Sequence, residues 1–325
     1  MRAWLLDKTG SVADLRLADA ARPSPGPGEV LLRMRFAGLN PADRYLAEGL
    51  YPAKPAFPHI LGRDGLGEAV ALGPGVEGLA AGELRLVLRG EAGVTRWGTF
   101  AEFAVVPAES LAALPAGWKP EQAGSAALTY LTAYQALTMW GPVLPCVVLV
   151  TGASGGVGSA AVHLARAMGH TVLGLSRDPA KAERLQGEGC HEVFSAEDRR
   201  WGAAVKAFLK GVRVGLAIDS IGGESFGQVI DVLGEGGKVS CVGRLAGPVP
   251  SFNTATLFFR RVRLGGVHVG AFAPAEAQAA WAEAVRLLSR TGRSPLVDSV
   301  WDFEDLGQAF SRLAAGPMGK VVLKI

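Results

Sequence analysis

A glycine-rich segment in the middle of the chain carries the clearest chemical signal. The stretch VLVTGASGGVGSAAVHLARAMG, residues 148–169, places an apolar strand, a glycine turn and a helix in immediate succession. Its turn contains Gly152, Gly155, Gly156 and Gly158. Bare backbone at such a turn lets a pyrophosphate approach the amides of the helix N-terminus, although close packing of a helix on a strand also favours glycine. The context favours a dinucleotide site.

A short polar segment near the N-terminus offers hydrogen-bonding groups. The stretch GLNPADRYLAEGLYP, residues 38–52, contains Asn40, Asp43, Tyr45 and Tyr51. Amides and hydroxyls are neutral donors that can stabilise negative charge developing on a substrate oxygen. Asp43 more plausibly orients a neighbour or touches a cofactor than acts as a base, and Tyr51 could instead be a structural aromatic residue in a turn. We treat these four residues as the candidate catalytic set.

The end of the strand after the glycine loop indicates which dinucleotide would bind. A fold specific for NAD places an acidic side chain there against the ribose hydroxyls, whereas this chain has Ser176 and Arg177, followed by Lys181. A guanidinium can form paired, charge-assisted bonds to a phosphate, so the segment predicts NADPH rather than NADH. Asp178, followed by Pro179, is interpreted as a helix cap. The alternative is that Arg177 and Lys181 are solvated surface cations.

The elements that must position these residues divide the chain into a β-rich part and an alternating part. Strands and turns dominate the N-terminal half, and from Glu121 onward strands and helices alternate as in a doubly wound parallel sheet. We therefore predict an α/β protein with a β-rich domain, residues 1–115 and 262–325, and a Rossmann nucleotide domain, residues 116–261. The C-terminal part predicts a strand over residues 263–270 and a helix from Pro274 to about Arg290.

An uncharged stretch, residues 124–162, has to be compared with a membrane span. Gly141, Pro142 and Pro145 break it into a helix of roughly 16 residues and a short strand, which is too short to span a bilayer. The N-terminus has one basic residue and a very short apolar run, so we predict no signal peptide and a cytoplasmic protein. The formal net charge of +3 argues against nucleic-acid binding.

The glycine loop also looks like the opening of short-chain dehydrogenases, which require a tyrosine beside a lysine well downstream of it. Tyr134 is the last tyrosine in the chain and precedes the loop, so that family is rejected. Cys146, Cys190 and Cys241 are widely spaced and have no neighbouring histidine at ligand spacing, which predicts core residues and no metal site. The lone His59 is predicted to be a packed residue or a capping residue.

Over essentially its whole length the sequence resembles the medium-chain dehydrogenase/reductase superfamily, and within it the zinc-free quinone oxidoreductase branch that includes zeta-crystallin. The resemblance is carried by GLNPADRYLAEGLYP, by GGVG at residues 155–158 and by the terminal GKVVLKI. The places that resemble those of the catalytic zinc ligands hold Asn40, Arg63 with Asp64, and Leu128. This set offers at most one carboxylate, so we expect no functional zinc.

The resemblance implies a GroES-like β-rich catalytic domain beside the Rossmann domain. It implies NADPH-dependent reduction of a quinone or a related conjugated carbonyl by direct hydride transfer, with Asn40, Tyr45 and Tyr51 as donors. Besides Ser176, Arg177 and Lys181, the expected cofactor-binding residues are Tyr130, Thr132, Gly155, Gly156, Val157, Phe194, Ser220, Gly243 and Lys320. Phe194 could instead fill the core, as could Tyr130 and Thr132.

Two other functions stay open. The same scaffold could reduce an enoyl thioester or enone, or the protein could be a non-enzymatic, crystallin-like NADPH-binding protein. The resemblance also implies a homodimer, joined in part by the strand over residues 263–270, which would otherwise leave an open sheet edge. A small-molecule acceptor, without nucleic acid or membrane, is the expected partner.

Overall fold

Alternating apolar residues build the strands of the N-terminal half, and uncharged runs build those of the central part. The computed structural model describes residues 1–88, 92–142 and 144–325. The strands are β1 (Arg2–Leu6), β2 (Arg16–Asp19), β3 (Glu29–Gly38), β4 (His59–Ile60), β5 (Asp64–Leu72), β6 (Leu84–Val87), β7 (Phe103–Pro107), β8 (Leu111–Ala113), β9 (Val147–Thr151), β10 (Thr171–Ser176), β11 (Glu192–Ser195), β12 (Val214–Asp219), β13 (Leu233–Cys241), β14 (Arg263–Gly266), β15 (Val297–Asp302) and β16 (Lys320–Lys324).

The helices follow the same chain order. They are α1 (Pro41–Ala47), α2 (Pro120–Ala123), α3 (Ala127–Thr138), α4 (Gly156–Ala167), α5 (Ala182–Glu188), α6 (Trp201–Leu209), α7 (Phe226–Val232), α8 (Ala255–Arg260), α9 (Pro274–Thr291) and α10 (Leu306–Ala314). The predicted helix from Pro274 is confirmed, and it runs to Thr291. Within the described part of the chain, no helix is both long and apolar enough to cross a membrane.

Two compact units emerge from the contacts. Unit 1 is Met1–Leu128, Gly270–Ala282 and Ser294–Ile325, and unit 2 is Thr129–Val269 and Glu283–Arg293. These limits differ from the boundaries that the sequence predicts at residues 115 and 262. The sequence-based domain division remains a prediction.

Unit 1 is built around β3, a long strand whose side chains are mostly buried. One sheet has the order β15-β16-β3-β5-β6-β8, with β7 also pairing with β3, and a second has the order β2-β1-β4. The β16–β3 and β3–β5 pairs are antiparallel. The start of β5 and the end of β3 are therefore neighbours, with Gly38 opposite Asp64, and this corner carries the candidate polar residues.

Unit 2 contains a parallel sheet in the order β11-β10-β9-β12-β13-β14. The strand order reverses between the neighbouring strands β9 and β12. In such a sheet, a ligand binds at the carboxyl ends of the strands at this point of reversal. The predicted doubly wound fold is confirmed.

Two local predictions are corrected. The predicted strand over residues 263–270 ends at Gly266, and a 3-10 turn follows at Val269–Ala271. The predicted helix of roughly 16 residues is the shorter α3, Ala127–Thr138, preceded by the separate turn α2. Gly124 separates the two helices because a Cβ atom there would lie 2.8 Å from Phe36 Cβ, so the chain is held close to β3.

Candidate active site

The glycine loop of unit 2 connects β9 to α4. Gly152 has a φ of 60°, and a Cβ atom on Gly158 would lie 2.1 Å from the Gly152 carbonyl oxygen. Backbone strain and packing therefore explain these two glycines. Gly155, the N-cap of α4, has an ordinary φ of −76°, and a Cβ atom there would meet nothing closer than 3.5 Å. Neither strain nor packing requires glycine at this residue, so the open backbone fits a pyrophosphate at the helix N-terminus.

Polar groups lie next to this loop at the ends of β9 and β12. Thr151 Oγ1 donates to Asp219 Oδ1 at 2.7 Å, and Asp219 also accepts from the Gly222 amide at 2.9 Å. Burial raises the pKa of Asp219. Ser220 Oγ is buried and has no hydrogen-bond partner among the described residues. A Cβ atom on Gly152 would lie 3.9 Å from Ser220 Cβ, so an unsatisfied hydroxyl is near the loop, as a polar ligand would need.

The predicted phosphate-binding residues follow β10. Ser176 is buried, and its Oγ atom exchanges hydrogen bonds with the Asp178 backbone at 3.2 and 3.3 Å. Arg177 is exposed and takes part in no ion pair of the described residues. Lys181 Nζ lies 3.7 Å from Asp178 Oδ2, so that carboxylate competes for the ammonium group. Asp178 Oδ1 accepts from the Ala180 amide at 3.0 Å, which confirms its interpretation as a cap.

The predicted nicotinamide-side residues lie on α3. Tyr130 is buried, and its hydroxyl is 2.8 Å from His163 Nδ1 on α4. His163 Nε2 is in turn 2.9 Å from Glu188 Oε2, a carboxylate that also accepts from Arg293 at 2.8 Å. Burial raises the pKa of Tyr130. The Tyr130 hydroxyl therefore belongs to an interior polar chain, and its contact with the cofactor remains a prediction. Thr132 is also buried.

Two other predicted cofactor residues have packing roles that account for them. Phe194 packs edge-on against Phe208 with ring centroids 5.8 Å apart, and it borders the core of unit 2. A Cβ atom on Gly243 would lie 2.7 Å from the Ser220 carbonyl oxygen, so packing requires glycine there. Their binding roles remain predictions, whereas Gly155, Gly156 and Val157 lie at the start of α4 as expected.

A buried lysine organises the polar corner of unit 1. Lys320 begins β16, and its ammonium group donates to Leu39 O at 2.9 Å, to Asn40 Oδ1 at 2.5 Å and to Asp64 Oδ2 at 3.1 Å. These bonds use all three donors of an ammonium group. Asp64 Oδ1 accepts from the Leu128 amide at 2.8 Å. All three donors of the Lys320 ammonium are thus engaged within unit 1, and its contact with the cofactor remains a prediction.

Asn40 and Asp43 belong to the same corner. Asn40 is buried, and its Nδ2 atom donates to Asp64 Oδ2 at 2.9 Å and to Gly38 O at 3.3 Å. Both donors of the Asn40 amide are engaged within the protein, and its role as donor to an acceptor remains a prediction. Asp43 Oδ2 accepts from the Asn40 amide at 2.8 Å, whereas the buried Oδ1 has no hydrogen-bond partner in the described chain. Burial raises the pKa of Asp43 to about 7.

The two candidate tyrosines are partly buried. Tyr51 Oη accepts from Arg63 Nη1 at 3.0 Å, and the guanidinium carbon of Arg63 lies 5.5 Å from the Tyr51 ring centroid. The Tyr45 ring lies 5.3 Å from the guanidinium carbon of Arg44. Since a phenol hydroxyl both accepts and donates, Tyr51 keeps its proton for another acceptor. Unit 1 thus brings the predicted segment together with Arg63, Asp64 and Lys320.

Comparison with known proteins shows where this architecture belongs. Two family models match, the alcohol dehydrogenase GroES-like domain over residues 26–116 and the zinc-binding dehydrogenase over residues 156–290. A quinone oxidoreductase of Lama guanicoe is 30% identical over 99% of this chain and 97% of its own length. A human synaptic vesicle membrane protein VAT-1 homolog is 30% identical over 99% of this chain and 86% of its own length.

The chain belongs to the medium-chain dehydrogenase/reductase superfamily, in its quinone oxidoreductase branch. Its fold is a GroES-like domain with a Rossmann-type domain, as the sequence predicts, and it is an oxidoreductase of this superfamily. Among solved structures, an NAD-dependent alcohol dehydrogenase is 28% identical with a TM-score of 0.90. The mycobacterial Rv1454c complexed with NADPH is 27% identical, also with a TM-score of 0.90. Both alignments cover the whole of each chain.

Asn40 and Asp64 stand at two of the places that resemble zinc-ligand positions of the superfamily. In the described ranges, no cluster of three or more His, Cys, Asp or Glu side chains could hold a metal ion. Asn40 and Asp64 bond the Lys320 ammonium instead. His59 is buried, and burial lowers its pKa.

Sequence reasoning missed several polar residues in unit 1 and in unit 2. Arg63 was considered only as the replacement of a zinc ligand, and no motif indicated its bond to Tyr51. The pair Thr151 and Asp219 lies at adjacent strand ends, so parallel-strand topology could have indicated it. Gln135 on α3 was also missed, and its buried Oε1 atom has no hydrogen-bond partner among the described residues.

Proposed function

We propose that this protein reduces quinones or related conjugated carbonyls with NADPH, by direct hydride transfer and without zinc. The observation that carries the proposal is the Lys320 network. An ammonium group is bonded to Asn40 Oδ1 and Asp64 Oδ2, two residues at places that resemble the zinc-ligand positions of the superfamily. Displacing it would leave buried polar groups unpaired, so chemistry that needs no metal fits better.

The residues of unit 2 fit a dinucleotide. The α4 amides beginning at Gly155 would hold the pyrophosphate, and Ser176 and Arg177 would hold the 2′-phosphate that distinguishes NADPH from NADH. When bound, the reduced nicotinamide supplies the hydride. The likeness to the NADPH complex of Rv1454c supports this choice, and the likeness to an NAD-dependent alcohol dehydrogenase makes it necessary to test both cofactors.

The residues of unit 1 would act on the acceptor. A quinone or enone that accepts a hydride develops negative charge on an oxygen, which neutral donors stabilise. We assign this role to the hydroxyls of Tyr51 and Tyr45. Asn40, with Lys320 and Asp64, holds the start of α1 in position. Asp43 accepts a hydrogen bond from the backbone amide of Asn40.

An acceptor panel tests the proposal. The protein is incubated with NADPH or NADH and with a series of quinones, crotonyl thioesters and simple enones, and oxidation of the cofactor is followed. We expect quinones to be the best acceptors and NADPH the better donor. Preferential reduction of crotonyl thioesters would indicate an enoyl-thioester reductase instead. Tight NADPH binding without turnover of any acceptor would indicate a crystallin-like binding protein.

A further inference from the structure

Arg63 is a partly buried cation that makes one hydrogen bond with the described residues, to a tyrosine. It lies between β4 and β5, next to Asp64. Its Nη1 atom donates to Tyr51 Oη. In residues 1–88, 92–142 and 144–325, Arg63 takes part in none of the ion pairs. A guanidinium has five N–H donors in a planar fork, so most of its hydrogen-bonding capacity is available to a ligand.

The neighbouring charges do not compensate Arg63. Lys320 and Asp64 neutralise each other at 3.1 Å, with the ammonium fully engaged. Asp43 acts on Arg63 only through space, and burial raises its pKa to about 7, so it is partly protonated near neutral pH. A partly buried charge without a partner is unfavourable. The corner therefore has an excess positive charge that an anionic ligand would balance.

The hydrogen bond between Arg63 and Tyr51 also determines which donors remain available to such an anion. The Tyr51 oxygen accepts from the guanidinium, so its own hydroxyl proton is available to another acceptor. An arginine fork fits the two oxygens of a carboxylate. Arg63 and Tyr51 thus offer a charged fork and a neutral donor side by side.

We propose that Arg63 forms a carboxylate subsite beside Tyr51, whose hydroxyl donates to the reacting oxygen, and that the preferred acceptor is a quinone or conjugated carbonyl compound that carries a carboxylate. This inference rests on the proposed function, because it names the acceptor class of the same site. The subsite uses residues of unit 1, whereas Arg177, the cation assigned to the 2′-phosphate, belongs to unit 2.

The first experiment compares two acceptors of the same shape, a naphthoquinone and a naphthoquinone carboxylate. The readout is the ratio of their kcat/KM values in the wild type, in Arg63→Gln and in Arg63→Lys. Charge-assisted bonds predict a preference for the carboxylate of about ten- to a hundredfold, mostly in KM. Arg63→Gln should remove it, and Arg63→Lys should retain part of it. The matched control is Arg35→Gln, since Arg35 is an exposed residue that pairs with Glu68.

The second experiment measures binding without cofactor or turnover. Calorimetry compares 2-naphthoate with 2-naphthol, and we expect Arg63→Gln to weaken only the naphthoate, by about tenfold or more. Arg63-dependent naphthoate binding in a protein that reduces no acceptor would support the subsite while the proposed function fails. Reduction of both quinones without preference, with naphthoate binding independent of Arg63, would overturn the subsite while the function stands. Loss of NADPH affinity in Arg63→Gln, with an unchanged acceptor ratio, would also overturn it.

Discussion

At the scale of single residues, Asp43 makes the stability of the folded protein depend on pH. Its carboxyl group is fully buried, and burial raises its pKa to about 7. An unfolded aspartate releases its proton near pH 3.9, so between about pH 4 and pH 7 the folded state binds more protons than the unfolded one. The Asp43 contribution is therefore most favourable below the lower pKa, and it declines as the pH rises through this window.

We predict that Asp43→Asn removes this decline. An asparagine can still accept the Asn40 amide hydrogen bond, but it does not titrate. Between about pH 4.5 and pH 8, wild-type stability should fall by about 2 to 4 kcal/mol relative to the variant. Urea denaturation of both proteins at the two pH values measures the difference. Identical pH dependence would mean that Asp43 is ionised in the folded protein.

Arg177 is the residue on which cofactor selectivity should depend. It is exposed directly after β10 and is free of ion pairs with described residues, whereas Lys181 is close to Asp178. We predict that Arg177→Ala weakens NADPH binding about ten- to a hundredfold and hardly changes NADH binding. Fluorescence titration of both cofactors measures this.

Arg213→Ala is the matched control for this prediction. Arg213 is also exposed, but it precedes β12 and so lies at the amino end of a parallel strand, away from the carboxyl ends where ligands of such sheets bind. Equal losses for NADH and NADPH in Arg177→Ala would assign Arg177 to the fold or to the pyrophosphate.

The sequence predicted the candidate segments better than the partners of their side chains. Asn40, Asp43 and Tyr51 do lie in one corner of unit 1, because a short motif holds them on and beside α1. The sequence did not indicate the bond between Asn40 and Lys320, a residue of the last strand, β16. Such a contact depends on the pairing of β16 with β3, which no local pattern reveals.

At the scale of elements, the loop between β9 and α4 contains one glycine that packing requires and one that packing does not require. A Cβ atom on Gly158 would meet the Gly152 carbonyl at 2.1 Å, whereas one on Gly155 would meet nothing closer than 3.5 Å. We predict that Gly158→Ala lowers the melting temperature, and that Gly155→Ala retains it but weakens NADPH binding about tenfold or more by blocking the helix amides.

Thermal melting and cofactor titration of these two variants form a matched pair. Unchanged NADPH affinity in a stable Gly155→Ala protein would show that the loop does not hold the pyrophosphate.

The elements themselves were predictable where periodicity is strong. The uncharged strand β9, the helix α4 and the long α9 were all found from their patterns. The separation of α2 from α3 was missed because Gly124 serves a close approach to β3, a tertiary contact rather than a local preference. The strand over residues 263–270 was predicted too long, since an alternating pattern does not indicate where pairing with β13 stops at Gly266.

At the scale of the whole molecule, the edge of the unit 2 sheet supports the predicted homodimer. β14 is the edge strand, Leu264 on it is 41% exposed, and Phe258 and Phe259 on α8 are 64% and 79% exposed. Exposed apolar side chains and a strand at the edge of a sheet favour association. We predict a dimer by light scattering at micromolar concentration, and a monomer for Phe259→Asp. A monomeric wild type would contradict the prediction.

Hydride transfer from NADPH without zinc can be tested in the metal-free protein. The protein is dialysed exhaustively against a chelator, its zinc content is determined, and oxidation of bound NADPH by a quinone is followed in a single turnover. We predict that the rate is unchanged by the chelator and that zinc is far below one ion per chain. Stoichiometric zinc, with a rate that falls on its removal and returns on its addition, would show that the reaction depends on zinc.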